Sequence, residues 1–374
     1  MKKLLTLALA VLMALTLAGC GGKEETAEKV SAADDGVFKM AVLVPYFGDQ
    51  SYYDTLKHGA EEIDSWDNTE VRLIEVGSES DEATWVSAFD DVCEDGEYDL
   101  VVSGNETYEA YLYAAAKKYP EQKFYNFDYL NFEDLSNVYG VRYNTAELGY
   151  VIGALCAALT KTDKVGVVVG MDNQSMNQFI SGFCQILTEK GKQYYIAYPG
   201  SWTDTILGKE ITEQMIEGGA DLVWQVAGGL GNGVIEACSN HDDVWAVGVD
   251  CDQHESLKEN KALSDAVITS ALKQSDVVLV NFAKDMIDGK DAGKWGTCDN
   301  CGIALQGVGI AENDYYLANV DEATRNSLTE ILNDVVSGKT TVIDCMEWTA
   351  DEYLTKWPEL RNAGQIELDY RTAQ

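Results

Sequence analysis

The run Lys164-Val165-Gly166-Val167-Val168-Val169-Gly170 holds four valines and no polar side chain after its first residue. A continuous β-branched stretch bounded by glycine suits a strand buried on both faces, the kind found inside parallel sheets. A helical stretch, Ser175–Lys190, follows it, and strand-like runs recur at Tyr194–Tyr198, Ala220–Val226 and Val244–Asp250. Between them lie helical stretches near Gly208–Glu217 and Gly233–Ser239, and Thr145–Leu159 precedes the run as a helix rich in small residues. The same alternation occupies the first part of the chain. Strands are expected at Phe38–Pro45, Val71–Val76, Asp99–Ser103, Lys123–Phe127 and Val138–Arg142, with helices near Asp54–Ile63, Glu82–Val92 and Tyr108–Lys118. Strand–helix alternation carried out twice predicts an α/β protein of two doubly wound, mostly parallel-sheet lobes.

Length agrees, since 374 residues exceed what one compact core ordinarily holds. Lys2 and Lys3 precede an apolar run ending in Leu17-Ala18-Gly19-Cys20, which reads as an export leader too short for a membrane span. The cysteine directly after Leu-Ala-Gly looks like a bacterial lipoprotein cleavage box. Residues 1–19 are therefore read as the leader, Cys20 as the lipidated N-terminus, and 20–36 as a flexible tether. Formal charge is −36, from 27 basic and 63 acidic residues. Such a chain repels phosphate backbones, so nucleic acid is not an expected partner.

Among the nine cysteines, Cys298-Asp-Asn-Cys301 is the one close pair, and in an extracytoplasmic loop a local disulfide is the first expectation. A zinc site would want further ligands, and the chain has only three histidines, so no metal and no cofactor are expected. No Gly-x-Ser-x-Gly elbow occurs, and His254 beside Asp252 lacks a nucleophile in a fitting context. The expectation is a binding protein rather than an enzyme.

In doubly wound sheets, ligands sit beyond the carboxyl ends of the strands. The residues there are Tyr46 to Asp54 after the first strand, Asp128 after Lys123–Phe127, Trp224 and Ala227–Gly233 around the Ala220–Val226 strand, Asp250 to Gln253, and Thr269 to Lys273. The glycine run Gly228–Gly233 lacks the Lys-Ser/Thr of a P-loop, and reads equally as a tight packing turn or as an approach for ligand. Tyr52 and Trp224 read as aromatic ligand faces or as core aromatics.

The stretches Gly219-Ala-Asp-Leu-Val-Trp-Gln-Val-Ala-Gly-Gly-Leu-Gly-Asn-Gly233, Trp245-Ala-Val-Gly-Val-Asp-Cys-Asp-Gln253 and Thr269-Ser-Ala-Leu-Lys273, with Leu148–Leu155 and Lys164–Gly170, carry a resemblance. From about Phe38 to at least Gly309 the chain resembles the basic membrane protein family, lipid-anchored nucleoside-binding components of ABC importers with a type I periplasmic-binding-protein fold. The resemblance implies a base held between two aromatic residues, here Tyr52 and Trp224. It implies that Asp250, Lys273 and Asp128 hold ribose hydroxyls and base edge, with Asp49, Ser51, Tyr53, Gly228 and Gly229 also at the site. The family's first loop ordinarily reads Asp-Lys-Ser-Phe-Asn, where this chain has Asp49-Gln50-Ser51-Tyr52-Tyr53. Tyrosine at 52 still stacks; tyrosine at 53 removes an amide that would read the base edge.

These readings lead to an extracytoplasmic, lipid-anchored monomer that captures a nucleoside, purine favoured, and hands it to the membrane subunits of an ABC importer. The alternatives are a sugar or other polar metabolite as ligand, a lipid-anchored sensor, and an exported nucleoside-cleaving enzyme. Lobes are expected at 37–142 plus 270–308 and at 143–269 plus 309–374, with crossings near Arg142, Asp250–Cys251 or Ser270, and Gly309.

Overall fold

The computed structural model describes residues 36–77 and 80–370, so the expected leader, Cys20 and most of the tether lie outside the described residues. The first lobe runs β1 (Phe38–Val44), α1 (Tyr52–Asp64), β2 (Thr69–Glu75), α2 (Glu82–Cys93), β3 (Leu100–Ser103), α3 (Glu109–Lys118), β4 (Phe124–Asn126) and β5 (Val138–Tyr143). The second runs α4 (Thr145–Leu159), β6 (Lys164–Val169), α5 (Gln174–Glu189), β7 (Gln193–Ala197), α6 (Thr205–Glu217), β8 (Leu222–Val226), α7 (Gly231–Ser239), β9 (Trp245–Asp250) and β10 (Val267–Lys273). The strand orders are β5-β4-β3-β1-β2 and β10-β9-β8-β6-β7, so both lobes share one winding. All pairs within these two runs are parallel. Each sheet gains a sixth strand, β11 (Thr297–Cys301) parallel to β5 and β12 (Val308–Ile310) antiparallel to β10. The two-lobed α/β architecture is the one the sequence predicts.

The valine run forms β6, with every residue after Lys164 buried. The small residues of α4 have a packing cause: it lies so close to α5 that a Cβ on Gly149 would sit 1.8 Å from the Phe179 carbonyl oxygen. Glycine at that position lets the two helix backbones meet.

Strand pairing moves the crossing expected at Asp250–Cys251 or Ser270. Asp250–Cys251 is no crossing, because β9 and β10 are neighbours in one sheet. Ser270 lies inside β10, which stays in the second sheet through Lys273. The chain leaves only after Lys273, and the helix Ser275–Ile287 packs against α1, where a Cβ on Gly59 would lie 2.7 Å from Asp276 Cα. It returns between Cys301 and Val308. Residues beyond β12 cover the second lobe, where Ile366 donates to the Tyr194 carbonyl.

The cysteine pair also departs from expectation. Cys298 and Cys301 lie on β11, Cys298 exposed and Cys301 buried, both as free thiols. Three residues along a strand at about 3.3 Å each separate them by about 10 Å and turn them to opposite faces, too far for a disulfide. The Cys-Asp-Asn-Cys segment is a strand because β5 has an open edge for it, a tertiary cause that local spacing does not reveal.

Candidate functional site

The carboxyl ends of both sheets face each other, and side-chain contacts join them. Ser51 Oγ donates to Asp250 Oδ2 at 2.5 Å, and Lys273 Nζ donates to Asp128 Oδ2 at 2.5 Å. Cys251 Sγ lies 3.2 Å from the Gln50 carbonyl oxygen. Tyr52 donates its hydroxyl to the same Asp128 oxygen at 2.8 Å. The structure thus brings Ser51, Tyr52, Asp128, Asp250 and Lys273 together from the entry of α1, the loop after β4 and the ends of β9 and β10.

Local chemistry positions each of them. Asp49 accepts from the backbone N–H groups of Ser51 (3.0 Å), Tyr53 (2.9 Å) and Asp54 (3.1 Å). These are orphan donors at the start of α1, so the carboxylate fixes the helix entry and, through it, Ser51 and Tyr52. Asp49 is therefore a positioning group whose oxygens are engaged by backbone. Tyr53 turns into its own lobe, where its hydroxyl accepts from Asn105 Nδ2 at 2.8 Å and its ring lies edge-on to Tyr46 at 5.1 Å.

Asp250 holds φ +65°, a backbone conformation few non-glycine residues adopt. Such strain gathers where a side chain must be aimed. The strand ends beneath it are tied by Gln253, whose Oε1 accepts from Gln225 Nε2 at 2.6 Å and from Val249 N at 3.1 Å. Burial pushes the Asp250 carboxyl up to about 6; Lys273 and the Ser51 hydrogen bond pull it down, and Asp49 and Asp128 push it up again. The Tyr52 hydroxyl is raised well above its ordinary value by burial and by Asp128 beside it. Lys273 is buried, its ammonium 4.9 Å from the Tyr52 ring centroid and 5.2 Å from that of Tyr143. Two carboxylates, one ammonium, a hydroxyl and an aromatic wall suit a neutral ring carrying hydroxyl groups.

Trp224 does not join this set. Its side chain is 0% exposed, its Nε1 donates to the Gly248 carbonyl at 3.2 Å, and its ring packs 5.3 Å from that of Phe183. Two residues short of the end of β8, it points into the layer between sheet and α5. The indole is a core aromatic with both polar and apolar surface spent, which corrects the sandwich expectation.

A different tryptophan stands at the strand ends. Trp202, in the loop after β7, is half-buried and lies on Gly170, where a Cβ would sit 2.4 Å from its ring. Its carbonyl accepts from Leu230 N at 2.8 Å, and a Cβ on Gly228 or Gly229 would meet it at 3.7 or 3.3 Å. Gly228 has φ +55°. The glycine run thus divides: Gly228 and Gly229 lie beside Trp202, whereas Gly231 and Gly233 pack against Gln225 and Thr205. The sequence signal for Trp202 was its place just beyond a strand end, in Gly200-Ser201-Trp202.

Comparison with known proteins bears on the fold and the family. Residues 38–341 match the family model described as ABC transporter substrate-binding protein PnrA-like. The chain is 31% identical over 242 residues to the ABC transporter nucleoside-binding protein BmpA of Lactococcus lactis, a match covering 61% of this chain and 66% of that one. It is 25% identical over 322 residues to an uncharacterized lipoprotein of Pyrococcus abyssi, covering 81% of this chain and 75% of the relative. Among solved structures, an ABC transporter solute-binding protein from Aeropyrum pernix shares the fold with a TM-score of 0.73 at 22% identity, covering 87% of this chain and 98% of that one. With its twin parallel-sheet lobes and polar groups meeting at their carboxyl ends, the chain belongs to the PnrA-like family of ABC transporter substrate-binding proteins.

Proposed function

We propose that this protein captures a nucleoside between its two lobes and delivers it to the membrane subunits of an ABC importer, held at the outer face of the membrane by lipid on Cys20. The observation that carries the reading is the meeting of Asp250 with Ser51, and of Lys273 with Asp128 and Tyr52, across the interface. Asp250 and Lys273 serve a ribose: a carboxylate accepts from hydroxyl groups, and an ammonium donates to ring or hydroxyl oxygens. Asp128 takes the base edge, and the Tyr52 and Trp202 rings supply the two stacking faces. An excess of carboxylate over ammonium disfavours a phosphate, which points to the nucleoside rather than a nucleotide. Support for the ligand class comes from the named relative in Lactococcus lactis, and for the anchor from the leader ending at Cys20 and the lipoprotein relative in Pyrococcus abyssi.

Lobe closure over the ligand would turn on the segments 143–145, 273–275 and 301–308, where the chain passes between the sheets. Calorimetric titration tests the ribose assignment. A nucleoside should bind at least tenfold tighter than its free base, since removing the sugar leaves Asp250 and Lys273 without their hydroxyl partners. Equal affinities would remove ribose recognition from the account.

A further inference from the structure

We propose that Glu106 is a clasp residue that sets how long the two lobes stay together, through contacts separate from the Asp250–Lys273 site. Glu106 sits in the loop after β3 of the first lobe. Its Oε2 accepts from Ser175 Oγ at 2.6 Å and its Oε1 from Asn173 Nδ2 at 3.4 Å, both in the second lobe. Asn173 caps α5, its side chain accepting from Met176 N at 2.9 Å, and Ser175 lies in the first turn of that 16-residue helix. The carboxylate of one lobe therefore docks on the positive end of a long helix of the other, where negative charge is favoured.

A second cross-lobe contact flanks the same place. Arg142 Nη2, on β5, lies 3.1 Å from Glu347 Oε1. The segment carrying Glu347 is fixed to the second lobe, with Gln174 Nε2 donating to the Cys345 carbonyl at 2.8 Å and Gln178 Nε2 to Asp344 at 2.8 Å. Between these contacts lies an inter-lobe cavity of about 350 Å³, lined by Glu106, Asn131, Arg142, Asn173, Ser175 and Trp348. None of those residues belongs to the proposed nucleoside site. The partners of each contact are carried by different sheets, so separating the lobes breaks both contacts while each lobe keeps its own fold. Glu106 is solvent-exposed, so its contribution is a few-fold in an equilibrium rather than a switch.

The consequence for capture rests on the nucleoside reading above: the clasp acts on the lifetime of the closed complex rather than on encounter. Glu106→Ala should raise the ligand dissociation rate about two- to fivefold with little change in association rate. Ser175→Ala, on the opposite lobe, should do the same. The double variant should be no worse than Glu106→Ala alone, because Ser175 meets the first lobe through Glu106. Small-angle scattering of the unliganded full chain supplies a readout that needs no ligand: both variants should show a larger radius of gyration than the parent. If no nucleoside binds the parent, the capture reading fails while scattering still decides the clasp. A radius of gyration unchanged in both variants would overturn the clasp, as would a parental dissociation rate in both.

Discussion

Replacing Asp250 by asparagine separates what this residue does for folding from what it does for binding. In the folded protein its carboxyl is raised from 3.8 to about 6, chiefly by burial. A rise of about two units corresponds to about 3 kcal/mol that the fold loses, at neutral pH, by keeping this group ionised. The sign follows from proton binding. Between about pH 4 and 6 the folded state holds a proton that the unfolded chain has released, so this group adds stability as pH falls through that window and costs stability above it. Asparagine has nearly the same shape and keeps an oxygen to accept from Ser51, but does not titrate. Asp250→Asn should therefore unfold about 1–3 kcal/mol later than the parent at pH 7.5, and the difference should shrink toward zero as pH is lowered to 4. Urea unfolding of both proteins across that range measures it, and the difference between them cancels the titration of carboxylates remote from Asp250. The same substitution should weaken nucleoside binding by tenfold or more. A variant less stable than the parent at pH 7.5, or a gap that ignores pH, would refute the argument that this carboxylate is held ionised at a cost.

Two further outcomes follow from the aromatic assignments. Trp224→Ala should act on stability, costing about 3–5 kcal/mol in chemical denaturation, since it empties a closed site beside Phe179 and Phe183. Trp202→Ala should leave stability near the parent's and weaken nucleoside affinity by about 1–3 kcal/mol, the range for loss of an aromatic stacking face, read by calorimetry.

Much of the fold was legible because its determinants are local. The valine run at Lys164–Gly170 and the repeated strand–helix alternation announce buried parallel sheets whatever the rest of the chain does. The place of Asp250 and Lys273 was legible for the same reason, as polar residues set just where apolar strands end. Trp224 shows the limit: it too lies near a strand end, but the two-residue period of the strand decides which way it faces, and α5 then buries it. Trp202 was hidden because its loop has no periodicity, and only the close approach of Gly170 and Gly228 shows where the ring lies. The crossing after Lys273 and the strand at Cys298–Cys301 depend on pairing with distant strands, which no window of sequence contains. The resemblance puts Tyr53 at the site, yet its hydroxyl is taken by Asn105, itself at φ +79°.

Whether the cleft takes a nucleoside is decided by a thermal-unfolding screen of residues 21–374 against nucleosides, free bases and monosaccharides. A ligand present at about a hundred times its dissociation constant adds about 2.7 kcal/mol to stability, enough to move the melting midpoint by several degrees. That shift is expected with at least one nucleoside, a smaller one with its free base, and none with the sugars. A shift produced by sugars alone would keep the fold and the family and contradict the ligand.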